Sequence, residues 1–275
     1  MKKIIVPIAF LFCTGLAEAQ VKMPAPSSTQ TIKQDFALGA IELTYSRPSA
    51  KGRKVYGDLV PFNTIWRTGA NSATLLKFTD AVEMNGKKID TGSYALYTIP
   101  GDDTWEIILN KGTTNWGTTG YAESADVVRM KVPSEKMKMP LETFTMQFAN
   151  ITPESCDLQI MWEKTMVSVP IKSNVKERIR MQMETALMGE KKPYWQAAQF
   201  YYDMDKNNAK ALENVTKAVG ENPKAYYMWL LKARIEKDMG DKTAAMASSA
   251  RSLELARDAK NDDYIKMNME LQKKM

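Results

Sequence analysis

Five cations lie within residues 45–74, YSRPSAKGRKVYGDLVPFNTIWRTGANSAT, among turn residues and aromatics. Cations gathered in one segment favour an anionic group nearby, because like charges repel one another unless an opposite charge is present. A guanidinium can donate two parallel hydrogen bonds to a carboxylate or a phosphate. The segment therefore predicts an anion pocket built mainly from arginines, with polar side chains that orient the ligand. The predicted ligand residues are Arg47, Lys51, Arg53, Arg67, Thr68 and Asn71.

The same arginines also have a structural interpretation, which is the stronger alternative. Arginines in turns often donate to backbone carbonyls or pair with carboxylates inside the protein. Three acids stand close in sequence, Glu42, Asp58 and Asp80. Under this interpretation the cations stabilise the fold and bind no ligand.

A second candidate surface is the loop at residues 111–121, KGTTNWGTTGY. Its candidate residues are Asn115, Trp116 and Tyr121. An aromatic side chain on a polar loop can pack against the apolar face of a sugar, whose hydroxyls then bond to the neighbouring polar groups. Alternatively, Trp116 folds back as a plug over the open end of the β domain.

The sequence contains no recognisable catalytic arrangement. It has no histidine, no glycine loop of the phosphate-binding kind and no nucleophile elbow, and no spacing singles out a pair of carboxylates. We expect no metal and no cofactor. A binding protein is therefore favoured over an enzyme. The enzyme alternative is a hydrolase that uses Asp58 together with the arginines, and a purely structural envelope protein is a third possibility.

Hydrophobic residues alternate with polar ones over residues 35–172, as in Ile41, Leu43 and Tyr45. Turn residues recur about every 8–12 residues, which is typical of an antiparallel sandwich. Asn85-Gly86 predicts a tight hairpin, because both residues readily adopt positive φ. The preceding segment, residues 20–34, has no period and is predicted to be an extended lead-in that is pinned to the sheet or mobile.

Four segments together resemble a known family. They are the cationic segment quoted above, TGSYALYTIP at 91–100, WEIILNK at 105–111 and IMWEKTMVSVPI at 160–171. Over residues 25–172 the chain resembles the exported bacterial family catalogued as domain of unknown function 2911. The resemblance implies that the cationic segment and the domain boundary are important, and it names no substrate.

After Lys172 the hydrophobic period changes to about 3.6, which indicates helices. Trp195 and Trp229 are 34 residues apart, as are Ala211 and Ala245. This region, residues 174–275, resembles two degenerate tetratricopeptide repeats at about 192–225 and 226–259, with a trailing helix from about 261. Such a domain would bind a protein partner. An ordinary helical bundle with accidental spacing is the alternative.

The predicted architecture is thus an antiparallel β-sandwich followed by a small tetratricopeptide-like helical domain. The formal net charge of +6 is too modest and too dispersed to indicate a nucleic-acid binder. The β domain is predicted to bind an anionic small molecule or a glycan.

The first 19 residues predict a secretory signal peptide. Lys2 and Lys3 form its positive end, an apolar run follows, and Ala17-Glu18-Ala19 resembles a cleavage site. The apolar run is too short to span a membrane, and no longer one follows it. We therefore expect a periplasmic or extracellular protein with no transmembrane segment after cleavage.

We predict that the exported protein begins at Gln20. Intact-mass measurement of protein from the cell envelope checks this expectation. A mass that includes Met1, or a lipid attached to Cys13, would contradict it.

Overall fold

The computed structural model describes residues 23–275, so the predicted signal peptide lies outside the described residues. Within them the chain forms nine strands and then six α-helices. The strands are β1 (Ser28–Phe36), β2 (Gly39–Arg47), β3 (Thr74–Phe78), β4 (Val82–Met84), β5 (Lys87–Ile89), β6 (Gly92–Ile99), β7 (Thr104–Asn110), β8 (Asp126–Ala149) and β9 (Ser155–Lys172). The helices are α1 (Val175–Met188), α2 (Tyr194–Gln199), α3 (Asn208–Glu221), α4 (Tyr226–Asp238), α5 (Lys242–Asp258) and α6 (Asp262–Lys273).

All strand pairs in the sheet are antiparallel, in the order β1-β2-β3-β6-β7-β8-β9-β4-β5. The long strand β8 connects the two halves of the sheet. Its residues 126–133 pair with β7 in one half, and its residues 134–149 pair with β9 in the other. Side chains from both halves meet in one hydrophobic core, for example Leu43 of β2, Ile107 of β7 and Leu158 of β9. The predicted β domain and the helical region that follows it are therefore confirmed.

Local sequence explains most of these elements. Ile41, Leu43 and Tyr45 on β2 are buried, as their alternation predicts. The Asn85-Gly86 hairpin is also confirmed, because both residues have positive φ and connect the paired strands β4 and β5. The sheet begins at Ser28, before the predicted boundary at residue 35. This part of the predicted lead-in is pinned to the sheet, since β1 pairs with β2 along its whole length.

The end of β2 closes the sandwich against β8. Residues 142–146 of β8 have backbone groups on the side away from β9, and these groups need partners. The Tyr45 hydroxyl accepts from the Met146 N–H at 2.9 Å, and Arg47 Nε donates to the Phe144 carbonyl at 3.1 Å. Beyond β2, the Phe144 N–H donates to the Pro48 carbonyl and the Ala50 N–H donates to the Glu142 carbonyl, both at 2.8 Å.

The helices pack on their neighbours in chain order, α2 on α3, α3 on α4, α4 on α5 and α5 on α6. A short π-helix, Phe200–Met204, continues α2. Small residues stand where helices approach closely, and Ala211 and Ala245 are both fully buried. Helix α1 is linked to the β domain by an ion pair in which Arg178 donates to both oxygens of Asp80. None of the described helices has the length and hydropathy needed to cross a membrane.

We predict that Tyr45→Phe lowers the free energy of unfolding by about 1–3 kcal/mol, because it leaves the buried Met146 N–H without a partner. Urea denaturation measures this loss. Tyr94→Phe is the matched control, since the Tyr94 hydroxyl only donates to the Asp90 carbonyl and leaves no N–H unpaired when removed. Equal costs for the two variants would contradict the closing role of Tyr45.

Candidate functional site

Three of the predicted cations line one cleft at the end of the sandwich. The cleft has a volume of about 410 Å³, and Lys51, Arg53 and Arg67 are among its walls. Pro26, Ser27, Leu59, Trp66 and Trp162 also line it. Among the described residues that form its walls, none carries an acidic side chain. The charged side chains on its walls are therefore all cationic.

Arg67 is positioned by a strained turn. The preceding residue, Trp66, exchanges two backbone hydrogen bonds with Thr98, at 2.8 and 2.9 Å. Thr68 then has φ of 54° and Gly69 has φ of 151°. A Cβ atom at Gly69 would lie 2.9 Å from the Ser46 carbonyl oxygen, so only glycine fits. The turn holds Arg67 at the cleft wall.

The guanidinium of Arg67 is incompletely satisfied. Its Nε is buried and has no hydrogen-bond partner among the described residues. Of the three acids close in sequence, Glu42 pairs with Lys77 and Asp80 pairs with Arg178, while Asp58 is exposed and does not line the cleft. Burying an unpaired donor of a charged group costs free energy. An anion in the cleft would offset this cost.

The other two arginines follow the structural interpretation. Arg47 donates to the Phe144 carbonyl and to the Thr145 hydroxyl, and it does not line the cleft. Arg53 donates to the carbonyls of Ala50 and Ser49 at 2.9 and 2.8 Å, although it does reach the cleft wall. These bonds leave only part of the Arg53 guanidinium for a ligand.

Thr68 and Asn71 do not line this cleft, and their role in orienting a ligand stays a prediction. Thr68 is fully buried, and its hydroxyl bonds to the Thr98 hydroxyl at 3.1 Å. The Asn71 amide donates to Ser46 Oγ and to the Ser27 carbonyl. Both residues have positive φ.

Lys51 is exposed on the rim of the cleft. Its φ is 52°, and its backbone N–H donates to Glu142 Oε1 at 2.7 Å. The backbone is fixed while the ammonium group stays in solvent. Lys51 can therefore meet an incoming anion at low cost in conformational entropy of the main chain.

The floor of the cleft is aromatic. The indoles of Trp66 and Trp162 are stacked, with ring centroids 6.2 Å apart and planes inclined by 19°. Their N–H groups donate to the carbonyls of Gly69 and Glu142, and the two side chains are only 9% and 1% exposed, so they form the buried base of the cleft. The sequence indicated Trp162 only as one residue of an alternating strand and gave no signal that it reaches the cations.

The second candidate surface is only partly available. The Asn115 amide donates to the Tyr97 hydroxyl, and the Tyr121 hydroxyl donates to Asp126. Burial and this bond to Asp126 raise the pKa of Tyr121 to about 12. Trp116 is 68% exposed, so the alternative that it plugs the end of the sandwich is wrong. The next residue, Gly117, lies close to Arg67, because a Cβ atom at Gly117 would be 3.3 Å from Arg67 Nη1.

Asp58, the carboxylate of the hydrolase alternative, is exposed. It lies on the loop that closes the end of the sandwich, yet it does not line the cleft that holds Arg67. A reacting group bound at Arg67 would therefore have no acidic side chain beside it.

The fold and the cleft define a β domain with a cationic, ligand-sized cleft, followed by a helical region. Residues 27–171 match the family described as Protein of unknown function (DUF2911), and the chain belongs to that family. None of the curated proteins matches the chain, and neither does any solved structure.

Proposed function

We propose that the protein is an exported envelope protein whose β domain binds a ligand with an acidic group. The observation that carries this proposal is the Arg67 guanidinium, which lines a cleft without acidic walls and has a buried Nε without a partner. A carboxylate, sulfate or phosphate group would complete its hydrogen bonding. Lys51 and Arg53 add positive charge on the same walls.

The apolar walls of the cleft favour a ligand that is not a bare inorganic anion. Pro26 and Leu59 are exposed on these walls and can contact the apolar side of a ring. An acidic sugar offers both the anionic group and the ring. This proposal places the acidic group at Arg67 and the ring against Pro26 and Leu59.

The hydrolase alternative has less support, because Asp58 is exposed and does not line the cleft. The purely structural alternative accounts for Arg47 and Arg53, whose guanidinium groups cap carbonyls. It does not account for Arg67, for which the described residues offer no carbonyl or carboxylate at Nε.

We predict that sulfate raises the melting temperature of the wild type beyond its general salting-out effect, and that Arg67→Gln removes this excess. At about 100 times Kd, binding adds about 2.7 kcal/mol to the free energy of unfolding, or several degrees. In plain buffer Arg67→Gln should cost less than about 1 kcal/mol, because the lost group had no partner at Nε. Thermal melts at constant ionic strength measure both effects.

Two further variants serve as controls for this experiment. Arg257→Gln removes the same charge from an exposed position on α5 and should keep the full sulfate response. Arg47→Gln should lose about 1.5–3 kcal/mol in buffer, because Arg47 caps Phe144 and Thr145. A large loss for Arg67→Gln with no sulfate response in the wild type would refute the ligand site.

We also propose that the helical region is built from two tetratricopeptide-like repeats and contacts a protein partner. The helices begin and end close to the predicted repeat boundaries, as α2 and α3 fall within 192–225, and α4 and α5 fall within 226–259. The sequential packing of α2 to α6 supports this assignment. In a regular repeat we would expect Trp229 to be fully buried. Its side chain is instead half-buried, and its N–H donates to the Pro223 carbonyl.

We predict that residues 174–275 fold on their own, because the helices from α2 onward bury their own core around Tyr201 and Ile235. Circular dichroism of this fragment should show a helical spectrum and a cooperative thermal transition. A disordered fragment would contradict the repeat assignment and show that the helices need the contact between Arg178 and Asp80.

A further inference from the structure

A second cleft, of about 330 Å³, opens beside the first on the other side of the loop at residues 50–60. Tyr56, Phe62, Trp105 and Glu163 are among its walls. A shallower depression of about 280 Å³ joins the two clefts, since it shares Arg53 with the first and Lys54, Pro140 and Glu163 with the second. The three form one track around the loop.

The second cleft contains an unsatisfied donor. Tyr56 is only 7% exposed, and its hydroxyl has no hydrogen-bond partner among the described residues. Burial, and then the charge of Glu163, raise the pKa of the Tyr56 phenol well above its ordinary value. The hydroxyl therefore stays protonated and can donate. An orphaned buried hydroxyl costs stability, which a ligand with an acceptor oxygen would restore.

An acceptor stands on the same wall. Glu163 has φ of 48°, at an irregularity in the pairing of β8 with β9, and its Oε2 accepts the Val55 N–H at 3.1 Å. This bond fixes the carboxylate and leaves its other oxygen available. A donor at Tyr56 and an acceptor at Glu163 suit a group that both accepts and donates, which is the property of a sugar hydroxyl.

Aromatic rings complete the second cleft. Tyr56 and Trp105 pack edge to face, with centroids 4.9 Å apart, but their side chains are only 7% and 1% exposed. Phe62 is therefore the aromatic ring that a ligand can contact. Charges of both signs surround these rings. The lining charged residues are Lys54, Asp102, Glu135, Lys136, Glu163 and Lys164. The second cleft is therefore balanced in charge, whereas the first is purely cationic.

We infer that the track binds a linear oligosaccharide with an acidic sugar at Arg67 and a neutral, hydroxyl-bearing sugar at Tyr56, Glu163 and Phe62. This inference rests on the proposed function of the first cleft and extends it to the second. A neutral ring matches the balanced charge there, and the partly exposed Phe62 can contact its apolar face. An acidic peptide is the competing occupant, and the experiment includes it.

The test is isothermal titration calorimetry with sialic acid, lactose and sialyllactose. Sialyllactose consists of one acidic sugar followed by two neutral ones. We expect sialyllactose to bind the wild type about tenfold more tightly than sialic acid, because the two parts are linked. Tyr56→Phe should weaken sialyllactose about tenfold and leave sialic acid unchanged. Its stability without ligand should not fall, since the removed hydroxyl has no partner. Arg67→Gln should abolish binding of both acidic sugars.

Tyr94→Phe is the matched control, because that hydroxyl bonds to the Asp90 carbonyl and lines neither cleft. Sialyllactose that binds no more tightly than sialic acid, or that is insensitive to Tyr56→Phe, would overturn the inference and leave the first cleft intact as an anion site. A tripeptide Glu-Gly-Gly that matches sialyllactose would also overturn it. If sialic acid and sulfate both fail to bind, the proposed function fails as well.

Discussion

At residues 142–146, the edge of β8 that faces away from β9 has no neighbouring strand, and this is the constraint on which the rest of the β domain depends. Buried backbone groups must find partners, and here β9 satisfies only one side of the strand. The other side is satisfied by Tyr45, by Arg47 and by the backbone of residues 48–50. The chain must therefore cross the end of the sandwich directly after β2. This crossing creates the loop at residues 50–60, which separates the two clefts.

The same constraint divides the cations into two groups. Arg47 lies in the crossing, so its guanidinium is used to cap β8. Arg67 lies on the next turn, which is anchored to Thr98 through the backbone of Trp66. Its guanidinium lies close to Gly117, which has no side chain to occupy that space. Two arginines from one segment thus have different physical environments. A charge that the fold has already paired stabilises it, whereas a charge left with an unsatisfied donor is available for binding.

Much of the fold was predictable, because alternation and turn chemistry are local. The strand face of Ile41 and Leu43, the hairpin at Asn85-Gly86 and the change to helices after Lys172 all follow from neighbouring residues. The site was less predictable. Thr68 points inward because of a positive φ that threonine rarely adopts. Trp162 reaches the cleft only through the long-range pairing of β9, which no local pattern encodes.

The contact between Tyr45 and Met146 spans 101 positions along the chain. Closing so long a loop has a large entropic cost, so we expect this contact to form after the local hairpin of β8 and β9 is in place. The walls of the first cleft come from both sides of that closure, from residues 48–70 and from Trp162. The cleft is consequently one of the last parts of the domain to assemble. A newly synthesised chain would therefore have a formed cleft only when folding is nearly complete.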